Sequence, residues 1–144
     1  MEIKIEKITE EDLEKLENIL TSDFDDFWNY NILKQEFQNE TSHLFVAKNA
    51  QEEILGFAGV QFVLDEASIT NIVTQKKYRN QGIGSALLEY IINYSKNNNM
   101  ISITLEVNEN NSSAISLYKK FNFKQTGLRK KYYNGTDNAI IMTI

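Results

Sequence analysis

The chain has 144 residues, an apolar content of 42% and no cysteine, which is typical of one globular domain and excludes disulfides and thiolate metal sites. Its 15 basic and 20 acidic side chains give a formal net charge of −5, which argues against a nucleic-acid-binding surface. We expect one domain, residues 1–144, that uses no metal, because the chain has a single histidine. We also expect a cytoplasmic protein that enters no membrane, because the N-terminus is charged and no apolar run has the length of a membrane span.

The N-terminal part of the chain predicts a strand followed by two helices. Ile3 and Ile5 alternate with charged residues, as in a half-buried strand. Thr9 belongs to a residue type that favours a helix N-cap. Apolar residues recur at helical spacing after Thr9 and again over residues 30–37, so we expect one helix at each place.

The middle of the chain predicts three strands and a third helix. Residues 43–48 and 54–64 are two mainly apolar runs separated by a short polar turn, which indicates an antiparallel hairpin. Residues 67–74 have the composition of the next strand. Glycines at positions 82 and 84 then precede a segment with apolar residues at helical spacing.

A strand with a carboxylate near its end is predicted at residues 100–107. Apolar and polar residues alternate there, so Ile101 and three later apolar residues share one face, and Glu106 lies on the other. A polar loop follows the strand and leads to a fourth helix, for which Ser112 or Ser113 is the expected N-cap.

The last two strands are predicted at residues 123–128 and 139–144, with a turn at Asn134-Gly135 between them. We therefore expect a single α/β or α+β fold, in which a mixed sheet of six or seven strands is covered by about four helices. Ligands of open sheets favour the C-terminal ends of strands. If the strands that precede the glycines and contain Glu106 are parallel neighbours, both ends lie in one crevice.

The glycine-containing turn after residue 74 has the features of an anion site. The first N–H groups of a helix lack internal partners and lie at the positive end of its dipole. Gly82 and Gly84 allow a ligand to approach the backbone, and Arg79 adds positive charge. A dinucleotide fingerprint is excluded because Leu87 occupies the place of its third glycine, and no Walker P-loop tripeptide occurs. The alternative is an ordinary strand-to-helix turn that binds nothing.

Three blocks of the sequence carry a family resemblance: DEASITNIVTQKKYRNQGIGSALLEYII, LEVNENNSSAISLYKKFNF and KKYYNGTDNAIIMTI. Together they resemble the GCN5-related N-acetyltransferase (GNAT) family and, within it, the RimI-like enzymes that acetylate the N-terminal alanine of a ribosomal protein. The resemblance implies acetyl-CoA as co-substrate, bound at the glycine turn and the strand before it. The residues that it assigns to this binding are Ile72, Val73, Thr74, Arg79, Asn80, Gln81, Gly82, Ile83, Gly84, Ser85 and Asn111.

The same resemblance implies a general base at Glu106 and a general acid at Tyr118. The chemistry agrees, because an attacking amine must lose a proton and a departing CoA thiolate must gain one. Direct attack within a ternary complex needs no covalent enzyme intermediate. The alternatives are a surface strand position for Glu106 and a merely packed ring for Tyr118.

Four aromatic residues are candidates for shaping the acceptor groove: Phe27, Trp28, Tyr132 and Tyr133. The expected acceptor is a protein or peptide N-terminus, with a basic ribosomal protein as one candidate partner. A protonated α-amine loses its proton more easily than a protonated lysine does, so it suits a lone carboxylate base. Acetylation of a small amine or a lysine, and a non-catalytic acyl-CoA-binding regulatory module, are the alternatives. The sequence leaves the oligomeric state open.

Overall fold

A computed structural model describes residues 2–24, 29–133 and 135–144, which form seven strands in one sheet and four α-helices. The strands are β1 (Lys4–Lys7), β2 (Ser42–Lys48), β3 (Ile54–Val63), β4 (Glu66–Thr74), β5 (Ser102–Asn108), β6 (Lys124–Tyr133) and β7 (Asp137–Thr143). The helices are α1 (Glu10–Ile19), α2 (Tyr30–Gln38), α3 (Ile83–Asn97) and α4 (Ser112–Lys120). The expected mixed α/β architecture is confirmed. No helix in these described ranges has the length and apolarity to cross a bilayer.

The sheet has the order β1-β2-β3-β4-β5-β7-β6, and β4 and β5 are its parallel neighbours, which meets the condition for one crevice at their ends. The hydrogen-bonded pairing of β4 with β5 is confined to residues 66–68 and 102–104, at the N-terminal ends of the two strands. Beyond that point β4 contains a bulge: its register with β3 shifts at Gly59 and Val60, and Thr70 has no position opposite it. A bulge bends its strand, so β4 diverges from β5 and a crevice opens between them.

Helices cover both faces of the sheet, which explains why β2 and β3 are buried at successive positions. On one face, Leu87, Leu88 and Ile91 of α3 pack against residues that include Phe45 of β2. On the other face, α1, α2 and the turn after α1 contribute a second cluster, in which the Phe24 and Phe57 ring centroids lie 5.2 Å apart.

The N-cap predicted at Thr9 is confirmed and forms a reciprocal capping box. The backbone N–H of Asp12 donates to Thr9 Oγ1 at 3.1 Å, and the backbone N–H of Thr9 donates to Asp12 Oδ2 at 3.0 Å. The predicted cap of α4 is wrong: Asn111, and neither of the two serines after it, accepts from the backbone N–H of Ala114, at 3.2 Å.

Several other strand boundaries differ from those predicted, and the differences in β5 and β6 concern the region of the crevice. Ile101 precedes β5 and is exposed, because the strand begins one residue later and only the three later apolar residues face the core. β6 continues to Tyr133 rather than ending at residue 128, since Arg129 and Tyr133 still pair with β7, with an irregularity in register between them. This extension places the basic and tyrosine residues at 129–133 on a strand beside the crevice.

Candidate active site

The glycine turn and the end of β4 enclose a cavity of about 450 Å³. It is lined by Ile72, Val73, Thr74, Arg79, Asn80, Gly82, Ile83, Gly84, Ser85, Asn111 and Ser113. The structure thus brings together all the predicted cofactor residues except Gln81. The Gln81 side chain is exposed, and its Nε2 donates to the Lys77 carbonyl at 3.4 Å. Ser113 lines the cavity but was not among the predicted residues, although its place in the first turn of α4, close to Asn111, could have indicated it.

The turn itself has the geometry of an anion site. Gly82 is the N-cap of α3 with φ 84° and ψ 7°, a left-handed conformation that glycine adopts without strain. Asn80 also has a positive φ, 63°. The N–H groups at the start of α3 need partners from outside the helix. The Arg79 guanidinium links the turn to neighbouring segments, since it donates to the carbonyls of Thr74 and Phe24, each at 3.4 Å.

A second cavity, of about 550 Å³, adjoins the first and contains both predicted catalytic residues. The two cavities share Ile72 and Val73 on β4 as well as Asn111. Glu106, near the end of β5, and Tyr118, on α4, both line the second cavity. A carboxylate and a phenol therefore line one cavity that adjoins the cavity of the glycine turn.

Glu106 forms an ion pair that the sequence analysis did not foresee. Its Oε1 lies 3.1 Å from Nη2 of Arg129 on β6. The pair lies in a third cavity, of about 560 Å³, which also contains Tyr132 and Tyr133. Glu106 lines the second cavity as well, so the two cavities adjoin and share this residue.

The Tyr118 phenol is held in its protonated form. Burial raises the pKa of Tyr118 above its ordinary value, and the electrostatic interaction with Tyr133 adds to the effect. The ring packs against Phe123 with a centroid distance of 5.9 Å. A half-buried phenol that keeps its proton at neutral pH is suited to donating that proton to a leaving group.

Two of the four predicted acceptor residues can be placed. Tyr132 and Tyr133 contact each other nearly at right angles, with ring centroids 5.1 Å apart. Tyr133 lines the second and third cavities, whereas Tyr132 lines only the third. Phe27 and Trp28 lie outside the described residues.

The comparison with protein families decides the class of the chain, because the acetyltransferase (GNAT) family matches residues 8–123. The chain belongs to the GNAT family. It is an N-acetyltransferase, and the matched residues include the glycine turn and β5.

Three relatives illustrate how similar this GNAT chain is to known proteins. The ribosomal protein bS18-alanine N-acetyltransferase of Haemophilus influenzae is 36% identical over 119 residues, which cover 80% of each chain. The crystal structure of the ribosomal-protein-S18-alanine N-acetyltransferase from Escherichia coli has a TM-score of 0.88 and 31% identity, covering 99% of this chain and 93% of that one. Arabidopsis thaliana NAA60, solved in complex with acetyl-CoA, shares the fold with a TM-score of 0.84 and 21% identity, over 99% of this chain and 98% of that one.

Proposed function

We propose that this chain transfers the acetyl group of acetyl-CoA to the α-amine of a protein N-terminus, with a basic ribosomal protein as the acceptor. One observation carries the proposal: Glu106 and Tyr118 line a single cavity that continues into the cavity of the glycine turn. The relatives named as ribosomal protein alanine N-acetyltransferases support this acceptor. The expected location is the cytoplasm, where ribosomal proteins are made.

The residues at the glycine turn fit acetyl-CoA. Its pyrophosphate is an anion, and the start of α3 offers backbone N–H donors beside the Arg79 guanidinium. Ile72 and Val73 lie between this turn and the second cavity and offer an apolar wall for the pantetheine arm. When bound, the co-substrate supplies a thioester whose carbonyl carbon accepts the attacking amine.

Each proton of the reaction has a residue to move it. A bond forms between the amine nitrogen and the acetyl carbon, and the bond from that carbon to sulfur breaks. Glu106 takes the proton that the amine loses, and Tyr118 gives a proton to the departing thiolate. An α-amine has a reference pKa of about 7.7–8.0, against about 10.4 for lysine. A single carboxylate therefore removes a proton more easily from an N-terminus than from a lysine.

The first test measures CoA release with an alanine-starting basic peptide, the same peptide blocked at its α-amine, and a panel of small amines. Turnover on the free N-terminus alone supports the proposal. Turnover confined to a small amine overturns the proposed acceptor. Binding of acetyl-CoA without turnover of any amine overturns the proposed transfer activity and favours a regulatory module.

A pair of variants tests the base. Glu106→Gln should lower kcat at least about 100-fold and leave the Kd of acetyl-CoA unchanged, because it removes a proton acceptor and keeps the shape. Glu66→Gln is the matched control, since this exposed carboxylate begins β4 at the strand's opposite end. Equal kcat in the two variants would refute the role of Glu106.

A further inference from the structure

Arg129 approaches Glu106 across an intervening strand. In the sheet, β7 lies between β5 and β6, with Ile141 opposite Glu106 and Ala139 opposite Arg129. Neighbouring strands are about 4.8 Å apart, so only a long side chain can span two of these spacings. Ala139 has a single side-chain carbon, and the arginine extends past it to the carboxylate.

The guanidinium of Arg129 has two partners. Its Nη2 lies 3.1 Å from Oε1 of Glu106, and its central carbon lies 5.4 Å from the centroid of the Tyr132 ring. Cation–π contact and ion pairing together restrict the orientations of the planar group. Arg129, Tyr132 and Glu106 line the same cavity.

We propose that Arg129 is a positioning residue for the transfer reaction. It binds Oε1 of Glu106 and so turns the carboxylate to leave Oε2 for the proton of the acceptor amine. Within residues 2–24, 29–133 and 135–144, Arg129 is the one recorded hydrogen-bond or ion-pair partner of Glu106. This inference rests on the proposed role of Glu106 as the base.

The exposure of the pair favours a role in orientation over one in stability. The Arg129 and Glu106 side chains are 55% and 28% exposed, and ion pairs at such exposure contribute little to the free energy of unfolding. A proton transfer, in contrast, depends strongly on where the base points, because small misplacements of a catalytic group slow the reaction. Loss of Arg129 should therefore affect kcat and leave the stability almost unchanged.

The test compares Arg129→Ala and Arg129→Lys with Lys130→Ala, which removes the adjacent exposed cation. The acceptor is whichever amine the wild-type protein acetylates. Arg129→Ala should lower kcat about tenfold or more, with acceptor KM, acetyl-CoA Kd and Tm little changed. Arg129→Lys should recover part of the loss because a lysine can still pair with Oε1, and Lys130→Ala should match the wild type.

Chemical rescue separates positioning from a structural effect. Millimolar guanidinium chloride should restore part of the kcat of Arg129→Ala, whereas potassium chloride at equal ionic strength should not. The double variant with Glu106→Gln should not respond to guanidinium. A wild-type kcat in Arg129→Ala, or a loss that guanidinium fails to restore, overturns this inference.

The same experiments distinguish this inference from the proposed function. If Glu106→Gln keeps the wild-type kcat, the base assignment fails and the role of Arg129 fails with it. If Glu106→Gln is impaired and Arg129→Ala is not, only the positioning role is lost.

Discussion

Glu36, near the end of α2, accepts a hydrogen bond from Nδ2 of Asn71 at 3.1 Å, and its other carboxylate oxygen accepts one from Oγ1 of Thr70. Thr70 is the bulged residue of β4, at the place where this strand leaves β5. A Cβ at Gly59 would lie 2.6 Å from Thr70 Oγ1 and 2.9 Å from Glu36 Oε1, so a glycine is needed opposite the bulge. The contact ties α2 to the open part of the crevice.

Glu36→Ala should therefore disturb the acceptor side of the site. Thr70 and Asn71 lose their shared acceptor, which should lower the free energy of unfolding by about 1–3 kcal/mol. Both residues line the cavity that contains Glu106, so the KM of the acceptor should rise. The Kd of acetyl-CoA should change little, because its proposed site lies at the C-terminal end of β4. Steady-state kinetics and thermal unfolding measure these effects. Glu40→Ala, at an exposed position just after α2, is the control, and equal results for the two variants would contradict the role of Glu36.

The two left-handed glycines make a matched pair for testing the glycine turn. Gly82 has φ 84° and Gly135 has φ 70°, and a Cβ at either position would meet no atom within 4 Å. Alanine at each position should cost about 1–2 kcal/mol of stability through backbone strain alone. Only Gly82 lines the first cavity, so only Gly82→Ala should also weaken acetyl-CoA binding, as measured by calorimetry. Equal affinities in the two variants would show that acetyl-CoA binds elsewhere.

The features that could be predicted from the sequence are those whose causes are local. Thr9 and Asp12 form their capping box within one turn, and Gly82 marks the turn by its own conformational freedom. The parallel placement of β4 and β5 was only a condition of the sequence argument, and the structure meets that condition. The local signals located the glycine turn and Glu106 at strand ends, whereas their meeting in one crevice depended on that placement of the two strands.

The features that could not be predicted depend on contacts between distant parts of the chain. No spacing in the sequence relates Glu36 to Asn71 or Arg129 to Glu106, because these pairs meet only after the sheet has formed. The wrong placement of Ile101 within β5 has a related cause. Alternation identifies the two faces of a strand, but it does not show at which residue the pairing with neighbouring strands begins.

Tyr118→Phe should slow the reaction without unfolding the protein. The ring still packs against Phe123, but no phenolic proton is available for the thiolate, so kcat should fall about 100-fold. Because burial and Tyr133 raise the pKa of Tyr118, the wild type should keep this proton at neutral pH and lose it only above about pH 10. Tyr90→Phe, whose ring packs 5.0 Å from Phe45, controls for loss of a hydroxyl. If kcat is the same in both variants, Tyr118 is not the acid.

A buried ion pair between Lys48 and Asp12 supports the opposite end of the sheet. Nζ of Lys48 lies 2.8 Å from Asp12 Oδ1 and 2.9 Å from Glu6 Oε1, and the side chains of Lys48 and Asp12 are both buried. Lys48→Met leaves the Asp12 carboxylate without this partner and should lower the free energy of unfolding by about 3–5 kcal/mol. The exposed pair of Lys4 and Glu52, at 2.9 Å, is the control: Lys4→Met should cost no more than about 1 kcal/mol in urea unfolding.

The Asp12 carboxylate also predicts how stability changes in acid. Burial raises the pKa of Asp12, but the hydrogen bonds from Lys48 and Thr9 outweigh burial and hold the pKa below its ordinary value. Its contribution is therefore complete above the unfolded-state pKa of about 3.9 and is lost as the pH falls through the lower folded-state pKa. Urea unfolding of the wild type from pH 7 downward should show this loss below about pH 4. Asp12→Asn cannot take up that proton, so its unfolding free energy should fall less steeply over the same range, and parallel curves for the two proteins would rule out Asp12 as the source.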